Sequence, residues 1–84
     1  MTNEELLENN KSIIENIERY FIFNLGRKFV ENSTLVLNPT NTEDIYLNGE
    51  ITGNSLNKRI TIKFRYDKLE DKIKRWFIWK TYKN

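Results

Sequence analysis

The sequence contains no cysteine and no histidine, and it has one proline and three glycines among 84 residues. A chain without cysteine and histidine lacks disulfides, thiol nucleophiles, imidazole acid–base groups and the usual zinc ligands. No run approaches the roughly eighteen apolar residues of a membrane-spanning helix, and the acidic, polar first residues are unlike a secretory signal. These absences predict a cytoplasmic protein whose fold is stabilised by packing.

The composition is that of a folded chain. Apolar residues make up 38% of the sequence, charged residues 31% and aromatic residues 13%, which argues against disorder. A chain of this length can form one modest core. We therefore expect residues 1–84 to form a single domain.

Charge is unevenly distributed along the chain. Residues 1–56 carry four Lys/Arg and nine Asp/Glu, a net charge of 4 − 9 = −5, whereas residues 57–84 carry ten and three, a net charge of 10 − 3 = +7. Such asymmetry indicates either a basic surface for an anionic partner or an acidic helix attracted to a basic sheet within one fold.

The N-terminal third predicts an amphipathic helix. Residues 2–5, Thr-Asn-Glu-Glu, match a capping box that would start the helix near Asn3. Apolar residues then recur at three- and four-residue steps, which is typical of a helix with one apolar face: Leu6, Leu7, Ile13, Ile14, Ile17, Tyr20 and Phe21. This stripe ends near residue 22. The helix is therefore predicted to bend or break near Gly26, or else to stop so that residues 20–23 begin an extended segment.

Four strands are predicted after the helix. Thr34–Leu37 is short and rich in β-formers, residues 44–52 and 58–66 alternate apolar with polar side chains, and residues 73–82 form the last strand. Turns are expected at residues 53–55 and 67–71. The predicted fold class is α+β, with the N-terminal helix packed on one face of a four-stranded antiparallel β-meander.

The last strand, KIKRWFIWKTYK, carries aromatic residues on both faces. One helix covers only one face of such a sheet, so the other face must meet water, a second copy or a partner. If Phe77 and Trp79 pack beneath the helix, the uncovered face gathers the predicted partner-binding residues: Tyr46, Lys63, Arg65, Trp76, Ile78, Lys80 and Tyr82. The alternative is that these residues form only core and solvated rim.

The favoured function is a small non-enzymatic protein-binding module, with no catalytic residues, metal or cofactor. Trp, Tyr and Arg dominate interface energetics. In size and composition the chain is similar to small proteins of phages and mobile elements, among which anti-defence inhibitors such as anti-CRISPR proteins are common. An inhibitor of this type would block a partner protein's surface. Four helix glutamates would also imitate phosphates toward a nucleic-acid-binding enzyme, although such residues commonly form a solvated face: Glu4, Glu8, Glu15 and Glu18.

Three other functions are compatible with the sequence. Single-stranded nucleic acid would stack on sheet aromatics between cations. A homodimer would bury the uncovered sheet face. A metal-dependent nuclease would use Asp67 with residues 70–72, Glu-Asp-Lys, but such sites need these groups on neighbouring strands and these lie in a predicted turn.

Overall fold

The computed structural model of the protein describes residues 3–38 and 44–83, with the backbone alone for residues 3–10 and Lys83. Its elements are α1 (Asn3–Leu25), α2 (Arg27–Glu31), β1 (Thr34–Leu37), β2 (Tyr46–Ser55), β3 (Lys58–Asp67) and β4 (Lys72–Lys83). The strands form one antiparallel sheet in chain order, and the helix packs against one face of it. The predicted α+β class is confirmed. Thr2 of the predicted capping box and most of the loop after Asn38 lie outside the described residues.

The helical segment breaks at Gly26, as predicted. Gly26 has φ 97°, a backbone conformation that side chains with a Cβ rarely adopt, and its amide still donates to the Ile22 carbonyl at 2.9 Å. The chain then resumes as α2, which buries Phe29. α2 is thus a separate short helix with its own buried side chain, and it does not continue the apolar stripe of α1.

The core lies between the helices and one face of the sheet. Phe21 is fully buried and makes edge-on ring contacts with Phe64 at 5.6 Å and with Trp76 at 5.9 Å. Ten buried apolar residues form a single cluster among the described residues: Ile17, Phe21, Phe29, Leu47, Ile51, Ile60, Ile62, Phe64, Tyr66 and Ile73. Alternate residues of β2 and β3 supply most of it, which is the pattern of a half-buried sheet.

The predicted turn at residues 53–55 is wrong, because these residues belong to β2 and the turn is at Leu56 and Asn57. Gly53 is buried beneath Phe29, where an added Cβ would lie 2.8 Å from the ring carbon Cε2. Close packing, and not turn formation, is therefore the reason for glycine at this position. Leu56 takes the left-handed conformation in the turn, with φ 56°.

The β3–β4 turn is held by carboxylates. Asp67 accepts hydrogen bonds from the Leu69 and Glu70 amides at 2.8 and 3.1 Å. The Tyr66 hydroxyl donates to Asp71 at 3.3 Å and accepts from Asn16 of α1 at 3.0 Å. Burial raises the pKa of this hydroxyl, while the Asn16 hydrogen bond lowers it. Two carboxylates of the nuclease hypothesis, those of Asp67 and Asp71, are thus engaged in hydrogen bonds at this turn.

Candidate partner-binding face

Two irregularities in β4 decide which of its side chains face away from the helix. Arg75 pairs with Arg65 and Ile73 with Tyr66, so Lys74 is an extra residue; Ile78 pairs with Ile62 and Lys80 with Thr61, so Trp79 is another. Each extra residue is a β-bulge, and it shifts the alternation of side chains by one position. Residues on the two sides of a bulge therefore do not follow a simple odd–even rule.

The bulges correct the predicted placement of Trp76 and Ile78. Trp76 pairs with the core residue Phe64, and its indole Nε1 donates to the Tyr20 hydroxyl of α1 at 3.0 Å. Ile78 pairs with the core residue Ile62 and so belongs to the helix side, although it is 55% exposed on the edge strand. Neither residue lies on the uncovered face, because the bulge at Lys74 brings Ile73 and Trp76 to the same side.

Phe77 and Trp79, which were expected beneath the helix, take their place. Phe77 pairs with Lys63, whose side chain also contacts Trp79. The open face, meaning the sheet face away from the helix, carries four aromatic side chains that are each 45–50% exposed: Tyr46, Phe77, Trp79 and Tyr82. One feature of the sequence could have predicted this outcome. β4 has aromatic residues at both odd and even positions, whereas a regular strand with one buried face has its apolar residues at alternate positions.

Cations lie over two of these rings, those of Trp79 and Tyr46. The Lys63 and Lys80 ammonium nitrogens lie 3.9 and 4.2 Å from the Trp79 ring centroid, and the Arg65 guanidinium lies 5.2 Å from that of Tyr46. Each contact contributes about 0.5–1 kcal/mol at an exposed site. Five of the seven predicted residues, Tyr46, Lys63, Arg65, Lys80 and Tyr82, thus share one face by strand register and ring contacts.

A groove of about 330 Å³ runs across β2, β3 and β4 on this face. Its cations are Lys63, Arg65 and Arg75, and Glu50 is the one acidic residue among the described residues that line it. Glu50 lies 3.9 Å from the Lys63 ammonium, beyond hydrogen-bond distance, and a surface ion pair of this kind contributes little to stability. Phe77 adds an apolar wall. The groove therefore offers a cationic, partly apolar site, and Arg75 is a residue that the sequence prediction missed.

Two of the four helix glutamates have described side chains. Glu15 and Glu18 are exposed, and the side chains of Glu4 and Glu8 lie outside the described part. Phosphate imitation by the four glutamates stays a prediction. Over residues 3–38 and 44–83, neither helix combines the length and apolarity needed to cross a membrane.

Known proteins offer no guide to the use of this face. Comparisons of the chain with protein-family models, with curated proteins and with solved structures find no match.

Proposed function

We propose that the protein is a non-enzymatic binding module that occupies the surface of a partner protein with the open face of its sheet. One observation carries this proposal: Tyr46, Phe77, Trp79 and Tyr82 are each about half exposed on a single uncovered face. Large aromatic side chains exposed together on one face of a small protein commonly mark an interaction site. Aromatic residues with arginine nearby are the residues that contribute most to protein interfaces.

The charge of the groove indicates the charge of the partner surface. Lys63, Arg65 and Arg75 outnumber Glu50 in the groove, so an acidic partner surface is complementary. An inhibitor of the anti-defence type would act in this way, by covering a surface that the partner needs, and it would require no cofactor. A nucleic-acid-binding enzyme would meet this face through an acidic part of its surface, away from its basic nucleic-acid site.

Single-stranded nucleic acid is the second candidate, because exposed rings flanked by cations are what base stacking and phosphate pairing require. The contacts at two rings weigh against it. Trp79 is approached by Lys63 and Lys80, and Tyr46 by Arg65, so bases would compete with these cations for the ring faces. A protein surface can contact ring edges and leave the cations in place.

The test is affinity capture from lysate of the host cell with the full chain, followed by binding measurements on the purified partner. Phe77→Ser and Trp79→Ser should each weaken binding at least tenfold, because hot-spot aromatics commonly contribute about 2 kcal/mol or more. The matched control is Phe23→Ser, which removes a phenyl ring that is 89% exposed on α1.

Two results would overturn the proposal. One is a partner that binds both open-face variants as tightly as the wild type, since the contact surface must then lie elsewhere. The other is tight binding of a twelve-nucleotide oligothymidylate that falls steeply with salt and is lost in Trp79→Ser, which would assign the face to nucleic acid.

A further inference from the structure

Two arginines oppose each other across neighbouring strands of the open face. Arg65 of β3 and Arg75 of β4 are direct partners in the register, and both line the groove. Like charges directly opposite on antiparallel strands destabilise the pair. An acidic residue at either position would remove this repulsion within the chain, but both positions are arginine. Binding an anion of another molecule between them would therefore be favourable.

The surroundings leave this pair without a counter-charge. Arg65 donates from Nε to the Asn48 side-chain oxygen at 3.3 Å and lies over Tyr46, both of them neutral groups. The Arg75 side chain forms no hydrogen bond, ion pair or ring contact with any residue the structure describes. Glu50, the groove's acid, is nearest to Lys63 at 3.9 Å. The guanidinium donors are therefore available to a ligand.

We propose that the groove binds a carboxylate side chain of the partner protein between Arg65 and Arg75. The inference rests on the proposed function and adds the chemistry of the contact: an aspartate or glutamate at the centre of the partner's surface. Guanidinium groups match a carboxylate with paired hydrogen bonds, and the volume of about 330 Å³ is at the lower end for ligand pockets. Phe77 would pack against the aliphatic part of the same segment.

A phosphate of single-stranded nucleic acid is the competing occupant. The contacts favour the carboxylate, because the phosphates of a strand come with bases that need ring faces, and cations already lie over Trp79 and Tyr46. A carboxylate on a protein loop requires only the groove itself.

The experiment titrates the ¹⁵N-labelled full chain with three probes and follows the arginine Nε–Hε signals by NMR. The probes are a capped hexapeptide of alternating glutamate and leucine, the same peptide with glutamine for glutamate, and a twelve-nucleotide oligothymidylate. The glutamate peptide should shift the Arg65 and Arg75 signals and bind about tenfold more tightly than the glutamine peptide, the difference expected for a charged hydrogen-bonded pair.

Variants decide whether the arginine pair is responsible. Arg75→Gln should lower the affinity for the glutamate peptide about tenfold, and Arg75→Lys, which keeps the charge but loses the paired geometry, should lower it less. Arg27→Gln removes the same charge from an exposed position on α2 and should leave the affinity within twofold. A dispersed spectrum of each variant verifies that it is folded.

Three results would overturn the inference: equal binding of the two peptides, equal losses in Arg75→Gln and Arg27→Gln, or tighter binding of the oligothymidylate than of the glutamate peptide. These failures are distinguishable from failure of the proposed function. If partner capture still depends on Phe77 and Trp79 but is unchanged by Arg75→Gln, only the carboxylate site is wrong. If capture is indifferent to Phe77 and Trp79, the proposed function is wrong as well.

Discussion

Among single residues, Leu56 combines two unfavourable features at the tip of the β2–β3 hairpin. Its φ is 56°, and its side chain is 98% exposed. A left-handed conformation costs roughly 1–2 kcal/mol for residues with a Cβ, and asparagine tolerates it better. Leu56 gains no packing in return, so its conformation is set by the two-residue connection between the strands.

Leu56→Asn should therefore raise the free energy of unfolding, by about 0.5–1 kcal/mol, measured by urea denaturation. Leu69→Asn is the matched control, because Leu69 is also an exposed turn leucine but lacks a left-handed φ. Equal midpoints for Leu56→Asn and the wild type would mean that the turn carries no such strain. A partner that bound Leu56→Asn more weakly would make the leucine a contact residue.

Two glycines, Gly26 and Gly53, show when the role of a residue can be predicted from its type and its neighbours in sequence. Gly26 was correctly predicted as a break, because loss of the helical stripe and a glycine coincided in the sequence. Gly53 was predicted to lie in a turn because glycine is common in turns. Its role instead depends on the Phe29 ring, 24 positions away in sequence, which covers it. A contact between residues so far apart cannot be predicted from the residues next to Gly53.

Among the elements, β4 determines the character of the open face. Its two bulges place Trp76 beneath α1 and Trp79 on the opposite side of the sheet. Bulges also increase local twist and hinder pairing of an edge strand with other chains. The two bulges therefore orient the proposed binding residues and also hinder aggregation through the edge strand β4.

The two tryptophans provide a matched test of this register. Trp76→Ala should lower the free energy of unfolding by about 2–4 kcal/mol, because it removes contacts with Phe21 and the hydrogen bond to Tyr20. Trp79→Ala should lower it by about 1 kcal/mol, since it loses exposed contacts with Lys63 and Lys80. Urea unfolding of both variants is the measurement. A larger loss of stability in Trp79→Ala than in Trp76→Ala would mean that Trp79 is the residue beneath the helix, as the odd–even placement predicted.

For the whole molecule, the charge of the open face bears on self-association. The cations that lie on it by register outnumber the described acids there, which are Glu50 and the turn-bound Asp67. There are six of them: Arg59, Lys63, Arg65, Lys72, Arg75 and Lys80. Two copies stacked face to face would bring these cations together. Electrostatic repulsion thus disfavours the homodimer that an uncovered aromatic face would otherwise invite.

We expect sedimentation equilibrium to give the monomer mass of 10.2 kDa at physiological salt. A dimer at low salt that Phe77→Lys dissociates would contradict this expectation and show that the open face closes on itself. Ile78→Lys is the control, because Ile78 is similarly exposed but lies on the helix side of the same strand.

Four features could be predicted from the amino-acid sequence: the class of fold, the break at Gly26, the order of the strands and the basic character of the second half. These follow from local periodicity and composition, which act over a few neighbouring residues. The aromatic residues of β4 that face outward could not be predicted in this way, because their orientation depends on two bulges formed against β3 and on the position of Tyr20 and Phe21 in α1. A one-residue shift in pairing moves every following side chain to the other face, and a single strand's alternation carries no information about its partner's register.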